Sequence, residues 1–146
     1  MKTVRERRIN VLKIFLASHG KLASGVKSTV GILFGKADNL YCYDAYVDET
    51  SLPETLDEFF KTVEEEDQVV MLSDLYGGSV NTAMTQYLTR NNTFLVAGIN
   101  VALVIELLTK TSVDEHELEN IVSMSREMLR VVKVDLEEES TEEEFF

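Results

Sequence analysis

His19 offers this chain its clearest chance of covalent chemistry. A histidine ring can serve as a base, a metal ligand or a nucleophile that takes up a phosphoryl group. Here it sits between Ser18 and Gly20, just past Val11 to Ala17 (VLKIFLA), a short apolar run that reads as a buried strand. For a histidine taken without that context, a structural or surface role is the ordinary reading. Asp74 stands in the same kind of place, after the strand-like run Gln68 to Leu72 (QVVML). If the two strands are neighbours, the Asp74 carboxylate approaches the His19 ring. A carboxylate that holds one ring N–H fixes the tautomer and leaves the other nitrogen nucleophilic. A turn or cap role is the competing reading for Asp74. Gly77-Gly78-Ser79 follows, ahead of a helical pattern. Glycine lets backbone approach an anion, a helix start presents N–H groups, and the Ser79 hydroxyl suits either a cap or a phosphoryl oxygen. The loop is neither a Walker loop nor a GxGxxG fingerprint.

The elements that must position these residues alternate along the chain. Leu22, Val26, Val30 and Leu33 recur at helical spacing up to Gly35, and Leu40 to Val47 reads as a second strand. Ser51-Leu52-Pro53-Glu54 is a capping box that opens a helix with Leu56, Phe59, Phe60 and Val63 on its apolar face, and Glu64 to Asp67 reads as its solvated end. After the third strand and the glycine loop come a helix from Val80 to Leu88 and a fourth strand, Thr93 to Ala97. Gly98 to Asn100 leads into a short helix, Val101 to Leu108. A second capping box, Ser112 to Glu115, opens a helix through Met128, and Leu129 to Leu136 looks like a fifth strand. Strict alternation of strand and helix implies a parallel sheet with helices on both faces. In such sheets ligands bind beyond the carboxyl ends of the strands. Three loops with unusual residues fall there: Ser18 to Gly20, Asp74 to Ser79 and Gly98 to Asn100.

Composition sets the outer limits. The 146 residues suit one domain, and 45% hydrophobic residues are normal for a soluble one. The net charge of −12 argues against nucleic-acid binding. More than half of that charge lies in Asp135 to Phe146, which carries seven carboxylates and no base. We therefore expect a basic leader over residues 1–10, a folded domain over 11–136 and a solvated acidic tail over 137–146. No apolar run has the length of a membrane span and no signal-peptide core precedes Val11, so a cytoplasmic location is expected. Cys42 lies between Tyr41 and Tyr43 and reads as a packed thiol. His116 falls in an acidic helical stretch and reads as solvent-facing. No metal-ligand spacing is present and no cofactor is called for.

Taken together, FLASHGKLASGVKSTVGILFG, SDLYGGSVNTA and VAGINVALVIEL resemble the mannose-family IIA component of the bacterial phosphoenolpyruvate-dependent sugar phosphotransferase system. The resemblance runs from about Val11 to Leu136. It implies an α/β fold with a doubly wound, mostly parallel sheet and a C-terminal antiparallel edge strand, which Leu129 to Leu136 would supply and which a homodimer can exchange. It implies that His19 accepts a phosphoryl group from the phosphohistidine of HPr and passes it to a histidine of a IIB component linked to a membrane permease. Asp74 matches the aspartate that orients the histidine, and Gly77, Gly78 and Ser79 match the loop that contacts the phosphoryl group. The family commonly has proline where this chain has Val80, which should make the turn slightly less rigid. Leu22, Leu75, Tyr76 and Ile99 are candidates for an apolar docking surface or for ordinary packing. The same features fit, less well, a IIA-like donor to a dihydroxyacetone kinase or a regulatory module that responds to phosphorylation state. A histidine phosphatase fits poorly, because Ser18 stands where such enzymes have arginine.

Overall fold

The computed structural model describes residues 11–135. Its strands are β1 (Leu12–His19), β2 (Leu40–Ala45), β3 (Gln68–Ser73) and β4 (Thr93–Ala97), paired in parallel in the order β2-β1-β3-β4. The helices are α1 (Leu22–Leu33), α2 (Leu52–Lys61), α3 (Ser79–Thr85), α4 (Val101–Leu108) and α5 (Glu115–Arg126), with a 3-10 turn, Gln86–Thr89, continuing α3. The doubly wound α/β arrangement expected from the alternation is present.

The sheet separates two cores. Leu12, Ile14 and Leu16 of β1 pack with α1, α4 and α5, whereas Phe15 and Ala17 pack with α2 and α3. Side chains of a strand alternate between faces, so a central strand buried on both sides must be apolar throughout. That is why β1 and β3 appear in the sequence as largely apolar runs; the exception, Lys13, is buried with its ammonium donating to the Thr62 carbonyl at 3.0 Å.

The two central strands reach further than their apolar runs. β1 continues to His19 because β2 stays in register beside it, with Ser18 opposite Asp44 and His19 opposite Ala45. β2 stops at Ala45, short of the expected Val47, because Tyr46 takes a left-handed backbone with φ of 66°. The caps read from sequence hold at Ser51, whose hydroxyl accepts the Glu54 N–H. At α5 the cap is not Ser112 but Asp114, which accepts the Glu117 N–H at 2.7 Å.

Two further readings meet a different outcome in the single chain. Asp67 is not part of a solvated helix end: it is fully buried and accepts the N–H groups of Val11 and Glu64 at 3.1 and 3.0 Å. Arg90 reinforces the same corner by donating to the carbonyls of Glu64 and Asp67 at 2.8 and 3.1 Å. Four residues in a row that look polar thus conceal one whose acceptors organise a turn. The antiparallel edge strand expected over Leu129 to Leu136, which a homodimer can exchange, is not formed within the single chain among the described residues. Helix α5 ends at Arg126, and residues 130–135 pair with no strand among the described residues. Val131 and Val132 are 83% and 79% exposed. Backbone groups this exposed can bond to water, and the open edge of β4 is not used by residues 130–135 of its own chain. The basic leader and the acidic tail lie outside the described residues. Among the described residues no helix is long and apolar enough to cross a membrane.

Candidate functional site

The strand order makes β1 and β3 neighbours although β2 lies between them in sequence, so the sheet's switch point falls between β1 and β3. His19 ends β1 and Asp74 follows β3 directly, which brings both to the crevice at that point.

Gly20, with φ of 61°, turns the chain away from the strand end. A left-handed backbone suits glycine, which has no Cβ to clash. The turn is held by the Gly20 N–H, which donates to the Ala45 carbonyl at 2.8 Å. Ser18 is fully buried. Its hydroxyl donates to the Gly20 carbonyl at 3.0 Å and accepts the Ala23 N–H of α1 at 2.8 Å. Asp44 secures the same helix turn by accepting the N–H and hydroxyl of Ser24 at 2.9 and 2.6 Å. The strand end, the turn and the helix start are therefore one hydrogen-bonded unit, and the His19 side chain projects from it.

The ring is held at both nitrogens. Nδ1 lies 3.2 and 3.0 Å from the two carboxylate oxygens of Asp74, and the His19 backbone N–H donates to one of them at 3.0 Å. Nε2 lies 3.2 Å from the Ser79 hydroxyl. A carboxylate only accepts, so Nδ1 carries a proton, and in the neutral ring Nε2 presents its lone pair. The Asp74 side chain is 12% exposed while that of His19 is 40% exposed, which leaves the nucleophilic side open to a partner.

The glycine loop supplies the rest of the wall. Gly77 has φ of 76°, again the left-handed region. At Gly78 a Cβ would stand 3.3 Å from the Leu75 carbonyl oxygen and 3.4 Å from Cε1 of His19, so the bare backbone lies flat against the ring. The Gly78 N–H is engaged with the Leu75 carbonyl at 3.1 Å. Ser73 steadies the loop from the end of β3 by donating to Asn81 Oδ1 at 2.9 Å. Val80, where the proline was expected, is buried among Leu52, Leu56 and Met84. The helix start is thus anchored by apolar burial.

Not every candidate joins the site. Asn100 caps α4 by accepting the Leu103 N–H at 2.8 Å and donates its own amide to the Ser125 carbonyl. Ile99 packs against the core on the α1, α4 and α5 face, whereas Leu22, Leu75 and Tyr76 are exposed at 50%, 60% and 86%. Cys42 is half-buried, and burial pushes its thiol up to about 11, which suits packing and not nucleophilic work. His116 is exposed on α5. One residue escaped the sequence reading. Tyr46 has its hydroxyl 2.7 Å from Ser79 Oγ and its ring centroid 5.4 Å from that of His19. It looked like the interior of a strand. The signal that finds it is its place at the carboxyl end of β2, beside the strand that carries His19.

Comparison with known proteins places this geometry in context. Residues 13–125 match the EIIA-man family, described as the PTS system fructose IIA component. A Bacillus subtilis protein described as PTS system fructose-specific EIIA component is 26% identical over 139 residues, spanning 90% of this chain and 93% of that protein. The PTS IIA protein associated with the fucose utilization operon of Streptococcus pneumoniae has a solved structure that superposes with a TM-score of 0.67 at 26% identity, over 84% of this chain and 93% of that one. The mannose/sorbose specific IIA subunit of Enterococcus faecalis gives a TM-score of 0.74 at 20% identity, over 86% and 97% of the two chains, and shares the fold.

Proposed function

The chain belongs to the mannose-type IIA family of the sugar phosphotransferase system, and on that premise we propose that His19 is the residue on which it carries the phosphoryl group. The donor is the phosphohistidine of HPr, and the acceptor is a histidine of a IIB component. A cytoplasmic location goes with that exchange. The observation that carries the reading is the His19 ring held at Nδ1 by Asp74, with Nε2 beside Ser79 and a solvent-open face.

The reaction follows from that arrangement. The Nε2 lone pair forms a bond to phosphorus as the donor's N–P bond breaks, and the donor nitrogen takes back its electron pair. No proton leaves His19, since Nδ1–H stays on the ring. The ring becomes positively charged, and the Asp74 carboxylate at 3.0 Å offsets that charge. Ser79 no longer faces a lone pair and turns its hydroxyl to a phosphoryl oxygen. Gly77 and Gly78 leave room for the group. Phosphoryl transfer depends mainly on positioning and charge, so such modest equipment suffices. It also favours release to the next carrier.

The family resemblance implies a homodimer. Support for it comes from the exposed apolar residues Leu129, Val131, Val132 and Val134, beside an apolar groove of about 500 Å³ lined by Leu33, Val101, Ile105, Met124 and Met128. We assign residues 130–135 to the open β4 edge of a second copy.

The test is incubation with enzyme I, HPr and phosphoenolpyruvate, followed by intact mass measurement beside a His19→Ala variant. The expected result is a gain of one acid-labile phosphoryl group that the variant lacks. No gain with active HPr would overturn the reading.

A further inference from the structure

Tyr46 combines three features that belong together. Its backbone is left-handed, with φ of 66°, a conformation that a bulky side chain rarely adopts. Its side chain is 70% exposed, so burial of the ring does not explain that backbone. Yet the ring lies tilted at 34° beside His19, and the hydroxyl is hydrogen-bonded to Ser79 Oγ at 2.7 Å. Unusual backbone conformations persist where the surroundings hold them, and they cluster at functional sites.

The protons along this contact can be assigned. Asp74 accepts from Nδ1, so in the neutral ring Nε2 is an acceptor and Ser79 must donate to it. A serine hydroxyl has one proton, so its oxygen is left to accept from Tyr46. The direction is therefore Tyr46 to Ser79 to His19 Nε2, with Nδ1–H to Asp74 at the far side of the ring. A free serine hydroxyl would rotate among its rotamers and bond to water. The donation from Tyr46 holds one of them.

We propose that Tyr46 is a positioning residue for the nucleophile: its hydroxyl fixes Ser79 so that the Ser79 proton lies on Nε2 before loading and on a phosphoryl oxygen after it. This inference rests on the carrier reading for its consequence in transfer, but not for its effect on the unloaded ring. When phosphorus takes the Nε2 lone pair, the Ser79 proton loses its acceptor and needs only a small rotation to find the new oxygen. Tyr46 keeps Ser79 within that reach. The left-handed turn at residue 46 is what brings the phenol over the ring from the edge of β2.

Tyr46→Phe deletes only the hydroxyl and keeps the ring. Two measurements decide the proposal. The first is the ¹⁵N shift of His19 Nε2 in the unphosphorylated protein, at a pH where the ring is neutral. It is expected to move toward the value of an unbonded imidazole nitrogen, in the same direction as in Ser79→Ala, and Tyr46→Phe is expected to add nothing in the Ser79→Ala background. The second is the rate of loading from phosphorylated HPr, expected to fall about three- to tenfold, as the loss of one hydrogen bond would give. That fall should also vanish in the Ser79→Ala background. An unmoved Nε2 shift, or a Tyr46→Phe effect that is undiminished without Ser79, would overturn the proposal. Failure of HPr to load the wild-type protein would instead count against the carrier reading, and the nitrogen shift would still decide the relation of Tyr46 to His19.

Discussion

One oxygen of Asp74 accepts both the backbone N–H of His19 and its ring Nδ1–H, each at 3.0 Å. Backbone and imidazole are thereby tied to a single point, and the ring cannot rotate without giving up one of two charge-assisted bonds. Asp74→Asn keeps an acceptor oxygen but removes the charge, whereas Asp74→Ala removes both. We predict that loading of His19 falls in that order, with the alanine variant down on the order of 100-fold. Single-turnover loading from phosphorylated HPr, with circular dichroism to show an unchanged fold, checks it.

Gly77 and Gly78 should fail in different ways. At Gly78 an added methyl group presses on the His19 ring and on the Leu75 carbonyl. Gly78→Ala is therefore expected to slow loading roughly tenfold, a loss of about 1.4 kcal/mol in positioning, with little change in melting temperature. At Gly77 the space is open but φ is 76°. Gly77→Ala should cost about 1–2 kcal/mol of local stability through the left-handed backbone. Paired melting and loading measurements separate the two.

The far end of the sheet should report on stability and not on chemistry. Asp67→Ala strands the part-buried N–H groups of Val11 and Glu64. We predict a loss of roughly 2–3 kcal/mol and a melting temperature lower by roughly 5–10 °C. Phosphoryl stoichiometry on His19 should be unchanged below the melting transition. A variant that loads less than one group while still folded would contradict this separation.

Cys42 gives a pH prediction. Burial raises its thiol from the ordinary 9.0 to about 11 in the folded chain. At pH 8 the thiolate is then rarer than in an unfolded chain, and alkylation by iodoacetamide should be on the order of 100-fold slower than after denaturation. The stability consequence has a definite sign. Below pH 9 both states keep the proton, whereas between about 9 and 11 only the unfolded chain releases it, so stability falls as pH rises through that window. Cys42→Ala should flatten the fall, as urea unfolding at pH 8 and pH 10 would show.

The exposed C-terminal segment makes an assembly prediction. If residues 130–135 lie on the β4 edge of a second copy, charging Val132 by Val132→Asp removes apolar contact and shifts the protein toward monomer. Light scattering across a dilution series reads the outcome. A wild-type protein that is already monomeric at high concentration would remove the basis for the exchange.

Much of this architecture was legible because it depends on local period. The fourth strand and α4 occupy the very residues that the pattern marked, and Ser51 caps α2 as its spacing indicates. His19 and Asp74 were legible because strand ends adjoin a crevice. Three features were not. Tyr46 sits in an aromatic run whose pattern continues through it, and only the left-handed φ reveals where the strand stops. Asp67 belongs to an acidic run in which Glu65 and Glu66 are exposed, and its burial depends on partners from Val11 and Glu64. The segment after Leu129 has strand composition, yet among the described residues it takes no sheet edge of its own chain, and pairing is not a property of composition.

The walls around His19 leave few ways in. Asp74 holds Nδ1, Gly78 backs onto Cε1 and Tyr46 leans over the ring. A carrier built this way has a single berth. On the proposal that His19 is the carrier residue, the protein that delivers the phosphoryl group and the one that collects it arrive from the same side, and neither can dock while the other is moored. Delivery and collection then form a queue, and throughput depends on how fast each visitor leaves as much as on the transfer itself. Tight binding to either would slow the traffic, which gives a shallow and weakly held docking surface an advantage that affinity alone would not reveal.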